Sequence, residues 1–340
     1  GFVCIWPNPP VLNLYYQSLM RLYATNTAGA SYSTSERTLA NGGIVERLYL
    51  FKDRLILVAG TRYDDDDSYS QTTAGNPRTV RPYVRNHDTQ WSRKYGAVFK
   101  PYVTDDGRNE TALFWNRSQT FTPVFTTDVR LGANFGQRFP NRVATTDEFG
   151  AKVSLQRGRI VGTVSTFDTE ETNALLSITD ITGAITGVPN TSYFNLAGSR
   201  TTKGWEADLY FNLLPTTDLM LSYSDIETRL ESGLPAEGVP ESTVGVVLRH
   251  ELRSGPLKGL SLMWLYNRWG DSFMTTQGGV WTVPAGDLHT AVLAYPWKNV
   301  TFRLRVENVL DETHVLPSSF WTGVGITDPI NYRFSASYRF

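Results

Sequence analysis

The residue types that most often carry out chemistry in proteins are few in this chain, and their spacing matches no known site. The four histidines, His87, His250, His289 and His314, form neither the HExxH pattern of a zinc protease nor another recognised ligand spacing. No nucleophile motif accompanies them, so a Ser/His/Asp arrangement is not predicted. Cys4 is the only cysteine, which excludes an intrachain disulfide and a zinc site built on CxxC pairs. We therefore predict no enzymatic activity, no resident metal and no cofactor.

The densest group of potential cation ligands is a run of four acids, Asp64–Asp67. Such a run could bind Ca²⁺ or attract a cationic ligand. It lacks the spaced Asp/Asn and Gly residues of an EF-hand loop, however. The sequence favours a solvated loop at the end of a strand, in which the four carboxylates keep the rim polar.

Composition narrows the class of protein. The chain has 340 residues and a formal net charge of -1, whereas nucleic-acid-binding proteins carry a basic excess. Aromatic residues make up 13% of the chain and charged residues only 19%. No apolar run approaches the roughly 20 residues that a membrane helix needs. A soluble all-β protein and a membrane β-barrel both fit these numbers, and a nucleic-acid partner does not.

Period-two alternation of apolar and polar residues recurs along the chain and predicts strands with two different faces. Residues 300–307 show it most clearly, and residues 205–212 repeat it. A sandwich could not bury mid-strand charges cheaply, whereas a wide barrel with a wet or plugged lumen accepts them and turns its apolar face to lipid. The charged residues that we expect to face the lumen are Glu206, Asp208, Arg303, Arg305 and Glu307.

The same alternation predicts about 13 strands. Short connections alternate between them with longer, polar ones, as in outer-membrane barrels, where short turns lie on the periplasmic side and long loops outside. The predicted fold is therefore all-β, a transmembrane antiparallel β-barrel. The predicted strands are 37–51, 54–65, 89–102, 110–121, 146–156, 159–170, 196–213, 219–230, 240–252, 258–270, 282–296, 299–309 and 329–340.

The odd strand number bears on domain organisation, because complete bacterial single-chain barrels usually have an even number. We expect residues 37–340 to form the C-terminal portion of a barrel and residues 1–36 to form an outer loop or strand remnant. No signal peptide is visible, although an exported protein requires one. Further strands are therefore expected on the N-terminal side of a longer protein.

The last strand resembles the terminal signal that the outer-membrane assembly machinery reads. It places aromatic residues on one face and ends on one: Tyr332, Phe334, Tyr338 and Phe340. Other short motifs resemble motifs in the barrel of TonB-dependent receptors. Within that family, the resemblance is closest to the receptors for ferric siderophores. Residues 306–314 (VENVLDETH) resemble the penultimate-strand phrase of that family, Gly60–Asp64 its Gly-x-Arg-Tyr-Asp strand end, and Gly204–Glu206 its Gly-x-Glu strand opening. Trp115–Pro123 resembles its Tyr-Ser-x-x-Phe-x-Pro phrase.

The resemblance implies a 22-stranded barrel, an N-terminal plug and a TonB box, of which neither plug nor box is found here. It implies uptake of a scarce nutrient, with a ferric siderophore as the expected cargo and the TonB complex, the assembly machinery and the lipid bilayer as partners. Aromatic residues in the outer loops are candidates for binding that cargo, although aromatic residues also form interfacial belts. These candidates are Tyr193, Phe194, Phe320 and Trp321.

Several alternatives to this reading stay open at the level of sequence. A passive porin, an outer-membrane enzyme and an adhesin or assembly barrel are other classes of barrel. Within the receptor class, vitamin B12, haem or an oligosaccharide could replace the siderophore as cargo.

Overall fold

The computed structural model describes most of the chain as strands joined by turns. The described residues are 32–74, 79–80, 84–124, 128, 130–131, 139–187, 189, 191–276, 279–316 and 325–340. Among these residues, no helix is long and apolar enough to cross a bilayer. Of the segment 1–36, which the sequence assigns to an outer loop or strand remnant, only 32–36 lie within the described part, where they belong to the first strand.

Each of the 13 predicted strands corresponds to one of the longer strands. Short additional strands lie within the long connections. The strands are β1 (Tyr32–Leu50), β2 (Leu55–Ala74), β3 (Thr79–Val80), β4 (Val84–Val103), β5 (Glu110–Thr122), β6 (Arg142–Leu155), β7 (Ile160–Asp180), β8 (Thr191–Leu214), β9 (Thr217–Leu230), β10 (Ser242–Glu251), β11 (Ser261–Trp269), β12 (Ser272–Thr276), β13 (Gly279–Val283), β14 (Gly286–Trp297), β15 (Val300–Glu307), β16 (Val315–Leu316), β17 (Gly325–Ile326) and β18 (Asn331–Tyr338).

The long strands form one sheet in chain order, β1-β2-β4-β5-β6-β7-β8-β9-β10-β11-β14-β15-β18. From β4 onward every recorded pairing between neighbours is antiparallel. β3 pairs with the end of β2, whereas β12–β13 and β16–β17 are separate hairpins. The predicted all-β, antiparallel fold with 13 strands in sequence is confirmed.

Contacts divide the chain into two compact units. The larger, called the main unit here, comprises residues 43–61 and 92–340. Of the described residues, the smaller comprises those within 32–42 and 62–91.

Several predicted strand ends are wrong, most clearly in the hairpin of β7 and β8. Pairing there continues to Asp180 and Thr191, well beyond the predicted ends at 170 and 196. The register shifts between Glu171 and Ala174, where Asn173 has a positive φ of 58°. A bulge of this kind adds an unpaired residue and breaks the period-two pattern, so the outer half of the hairpin resembles a loop in sequence. The strand β11, in contrast, is shorter than predicted. It begins at Ser261 instead of 258, because turns occupy the preceding residues.

The main unit has one apolar and one polar face, and the strand register defines both. Residues directly opposite one another in paired strands share a face. The apolar face includes Leu113, Trp115, Phe149, Val164, Trp205, Leu209, Leu221, Val246, Trp264, Leu293, Leu304 and Phe334. Many of these side chains are exposed, with Phe334 67% accessible. A continuous exposed apolar surface of this extent requires an apolar environment.

On the four strands β5 to β8 the apolar face ends at one row of charges, which Glu227 continues on β9; there the charges begin one position earlier on the same face, at Asp225 opposite Trp205. This charged row consists of Arg117, Asp147, Asp168, Lys203 and Glu227, which lie side by side in the register. Arg117 pairs with Asp147 at 3.2 Å, and Lys203 pairs with Asp168 at 2.9 Å. Between the charged row and the short connection, the apolar segment of β8 is about nine residues long. A strand needs roughly 9–11 residues to cross a bilayer, so the two lengths are similar. The charged row therefore marks one edge of the apolar band.

Adjacent positions on β9 offer a test of the two faces. Leu221 lies between Leu209 and Val246 on the apolar face, whereas Ser222 lies beside Asp208 on the polar face. We predict that Leu221→Arg destabilises the protein in lipid vesicles by about 2–4 kcal/mol, the cost of an arginine near the bilayer midplane. Ser222→Arg should change stability far less. Denaturant unfolding in vesicles measures both, and equal losses would contradict the assignment of the faces.

Candidate functional site

The five charged residues predicted to face a lumen all lie on the polar face of the main unit. Glu206 pairs in register with Ser165 and Ser224, and Asp208 with Thr163 and Ser222. On β15, Arg303 lies opposite Ala294 and Ser335, while Arg305 Nε lies 2.6 Å from Glu307 Oε1. The structure therefore brings these residues to one surface. That this surface lines a lumen stays a prediction.

At the end of the polar face near the long connections, one carboxylate bridges two guanidinium groups. Glu171 on β7 accepts hydrogen bonds from Arg142, at 3.3 Å, and from Arg200. The Glu171 side chain is 13% accessible, so it contributes little charge to solvent, whereas both arginines remain more than a third exposed. The trio carries one excess positive charge beside the outer connections. It suits an anionic ligand, because guanidinium groups form charge-assisted hydrogen bonds with oxyanions.

Sequence reasoning missed this trio. Glu171 lies 29 positions from each arginine, and only strand pairing brings the three side chains together. The interruption of the alternating pattern at residues 171–174 was the one signal of an unusual structure at this point.

The predicted aromatic ligand residues have different surroundings. Tyr193 is buried, with 7% of its surface accessible, and lies opposite Ile178 in the β7–β8 hairpin. Phe194 is half-buried and lies opposite Ser177. Phe320 and Trp321 lie outside the described residues. A cargo-binding role for these four residues stays a prediction, and the burial of Tyr193 favours its neighbour Phe194 for direct contact.

The outer turn of the β7–β8 hairpin is built around the carboxylate of Asp180. It accepts backbone N–H groups from Gly183, Ile185 and Thr186 at 2.9, 2.8 and 2.7 Å. Burial acts to raise the pKa of Asp180, but the backbone donors of Thr186 and Ile185 favour the ionised form and leave the pKa below its ordinary value.

A second connection, between β5 and β6, is tied to this turn. Leu131 donates its N–H to the carbonyl of Ile185 at 2.7 Å. Arg130 donates to Asp128 and reaches Asn195 of β8 at 2.9 Å. The Arg130 guanidinium holds the pKa of Asp128 below its usual range. The two connections thus form one hydrogen-bonded surface at this end of the main unit.

In the smaller unit, the acidic run lies within β2 and not in a loop. The interpretation of Asp64–Asp67 as a solvated loop is therefore wrong, because β2 extends from Leu55 to Ala74 and includes the whole run. Each acid has a basic partner: Asp64 pairs with Arg62 at 2.8 Å, Asp65 with His87 at 2.9 Å, Asp66 with Arg37 at 2.8 Å and Asp67 with Arg85 at 2.7 Å. Three of the four carboxylates are paired with arginines and the fourth contacts a histidine, which disfavours the Ca²⁺ site that the sequence left open.

The terminal strand presents the aromatic residues predicted to form the assembly signal. Tyr332, Phe334 and Tyr338 on β18 lie opposite Val306, Leu304 and Val300 of β15. These side chains and Phe340 are exposed. β18 is the last strand of the sheet order and pairs on one edge within the described residues. An exposed apolar stripe on this strand fits the predicted signal, and recognition by the assembly machinery stays a prediction.

The Asp180 turn generates a prediction about local stability. Asp180→Ala removes the acceptor of three backbone N–H groups, so hydrogen exchange of the Ile185 and Thr186 amides should accelerate about tenfold. Since the folded-state pKa is lowered, the stabilisation is complete above the unfolded-state pKa and is lost as pH falls through the folded-state value. Asp105→Ala, in an exposed turn, is the control. Unchanged exchange in Asp180→Ala would show that the carboxylate does not hold this turn.

Comparisons with known proteins agree with this architecture. A family model described as TonB dependent receptor-like, beta-barrel, matches residues 10–309. No curated protein sequence matches the chain. The ferric-catecholate import receptor Fiu from E. coli K12 is a similar solved structure, with 15% identity, a TM-score of 0.70 and coverage of 91% of this chain and 45% of that one.

Two other solved structures share the fold. The ferripyoverdine receptor of the outer membrane of Pseudomonas aeruginosa is 18% identical, with a TM-score of 0.70 and coverage of 89% of this chain and 39% of that one. The ferric yersiniabactin uptake receptor FyuA from Yersinia pestis is 14% identical, with a TM-score of 0.67 and coverage of 91% and 46%. This chain therefore spans less than half the length of these receptors. With most of its residues matched by the family model, the chain belongs to the TonB-dependent receptor-like β-barrel family.

Proposed function

We propose that this chain forms part of the barrel wall of an active-transport receptor in the bacterial outer membrane, and that the receptor imports a ferric siderophore. Membership of the TonB-dependent receptor family carries the proposal. The similar structures are named as receptors for ferric catecholates, ferripyoverdine and ferric yersiniabactin, which supports iron chelates as the cargo class. The family is a class of transport receptors, so an enzymatic role is not proposed.

The two faces of the sheet suit this role. The apolar face would contact the hydrocarbon of the bilayer, and the polar face, with Glu206, Asp208, Arg303, Arg305 and Glu307, would line the lumen. The short connections would lie in the periplasm and the long ones outside, where the Glu171 trio and Phe194 could contact arriving cargo. The aromatic stripe of β18 would engage the assembly machinery during insertion.

The domain organisation is also part of the proposal. Residues 37–340 would form the C-terminal portion of a larger, 22-stranded barrel, consistent with coverage of only 39–46% of the similar receptors. A plug and a TonB box on other parts of the same protein would complete the receptor. TonB would transmit the energy that moves the plug, so transport should require both TonB and the inner-membrane proton gradient.

Energy dependence distinguishes the proposal from a passive porin. A strain that lacks this gene should lose uptake of one iron-loaded siderophore under iron limitation, and the cloned gene should restore it. In the complemented strain, deletion of TonB or addition of a protonophore should abolish that uptake. Uptake that persists without TonB would indicate passive diffusion. A strain that loses uptake of vitamin B12, haem or an oligosaccharide instead would identify a different cargo.

The excess positive charge beside Glu171 gives a residue-level prediction. Arg200→Gln removes one of its two guanidinium partners and should weaken binding of a negatively charged ferric siderophore about tenfold, since a charged hydrogen bond contributes about 1.5–3 kcal/mol. Arg249→Gln is the matched control, because Arg249 also lies on the polar face but near the short connections. Equal affinities of the two variants, measured by titration of whole cells, would argue against the trio as a cargo contact.

A further inference from the structure

A mixed cluster of one histidine and two carboxylates lies where the last long connection leaves the sheet. Asp287 is the second residue of β14, whereas Glu312 and His314 belong to the connection between β15 and β18. Each side chain offers one atom that could bind a metal, a carboxylate oxygen or an imidazole nitrogen, and these three atoms all lie within 4.8 Å of one another. The sequence did not predict this cluster, because Asp287 reaches it from a different strand.

The distance between two of these groups matches shared coordination. His314 Nε2 lies 3.4 Å from Glu312 Oε2. Two ligands that each lie about 2.0–2.1 Å from one tetrahedral ion are separated by about this distance. His314 Nε2 is shielded from solvent, and the two groups are not aligned for a hydrogen bond, so this nitrogen has no hydrogen-bond partner among the described residues. Buried polar atoms without a partner are rare, and a bound ion is one of the few explanations for them.

The backbone that carries Glu312 and His314 is held in place by two buried side chains. Asn308 Nδ2 donates to the carbonyls of Glu312 and Asp328, at 2.8 and 2.9 Å, and Asn308 Oδ1 accepts the N–H of Glu312. Thr327 Oγ1 accepts the N–H of His314 at 3.0 Å, and the N–H of Thr327 donates to the carbonyl of His314 at 2.9 Å. Both ligand-bearing positions are therefore ordered before any ion binds.

The third ligand contacts a second histidine. Asp287 lies opposite Arg268 in the register, but its carboxylate lies 3.1 Å from His289 Nε2. The His289 ring lies 5.6 Å from that of Trp264 and 4.9 Å from that of Tyr266, which fix its position. Carboxylates that bind metals are commonly held by a second group in this way.

The other side of the cluster is closely packed. The ring of Trp269 contacts that of His314 edge-on, with centroids 5.9 Å apart. Gly286 makes this approach possible, because a Cβ at this position would lie 2.7 Å from Trp269 and 2.9 Å from His314. The Nε1 of Trp269 is also buried without a hydrogen-bond partner in the described part of the chain. The His314 ring is thus confined beside both carboxylates.

We infer that Asp287, Glu312 and His314 bind one divalent transition-metal ion, which fastens the connection between β15 and β18 to the start of β14. An imidazole with two carboxylates suits Zn²⁺ and related ions, with water as a fourth ligand, whereas Ca²⁺ selects oxygen ligands alone. The site is structural, and it is separate from the iron of any transported cargo. It does not depend on the proposed transport function.

Zinc binding by the complete protein, purified in detergent and treated with a chelator, tests the inference. Equilibrium dialysis followed by elemental analysis should show one Zn²⁺ per chain that Ca²⁺ does not displace. Glu312→Gln and His314→Gln should each weaken Zn²⁺ binding at least about tenfold. Zinc should also slow proteolysis within the connection between β15 and β18 in the unmodified protein, but not in these variants.

Matched controls are available for both substitutions. His250→Gln alters a histidine that hydrogen-bonds Thr217, and Glu251→Gln alters the adjacent glutamate, both near the short connections. These variants should bind Zn²⁺ as the unmodified protein does. Because Glu312 is exposed, Glu312→Gln should fold even if His314→Gln does not. Zinc binding that is unchanged in Glu312→Gln, weak and unsaturable in every variant, or equally strong for Ca²⁺ would overturn the inference.

Discussion

The strand register of the main unit is the constraint on which the other features depend. Side chains alternate between faces with a period of two, so a slip of one residue would exchange the two faces of a strand. In one row across the sheet, Leu209, Leu221 and Val246 would then meet polar neighbours, and Asp208 would enter the apolar band. Burying an unpaired charge in hydrocarbon costs several kcal/mol, which makes the observed register strongly preferred.

At the charged row, the residues on one face of the sheet change from aromatic to charged over a short distance. Trp115, Phe149 and Trp205 lie one step along the strands from Arg117, Asp147 and Lys203, on the same face of the sheet. The environment of that face must therefore change from apolar to polar within two residues. The interface between hydrocarbon and headgroups would be such a boundary, and four of the five charges pair with one another across strands there.

Hydrogen bonds between side chains and the backbone stabilise two of the described connections. Asp180 organises the turn of the β7–β8 hairpin, and Asn308 performs the same task in the connection after β15. A single buried acceptor or amide can satisfy several backbone groups that would otherwise lose their water. The preorganised base of the last connection is also what makes the cluster of Asp287, Glu312 and His314 a coherent metal site.

The sequence by itself determined the all-β fold, the number and order of long strands, and the face on which Glu206, Arg303 or Leu304 lies, because these follow from local alternation and chain order. It did not determine where strands end: the bulge at Glu171–Ala174 hides the outer half of a hairpin, and β2 continues through Asp64–Asp67 to Ala74. Only the tertiary structure decided which distant residues meet. The Glu171 trio and the charged row join residues on separate strands, and the cluster of Asp287, Glu312 and His314 joins a strand to a connection. These contacts depend on the pairing of distant segments, which no local pattern records.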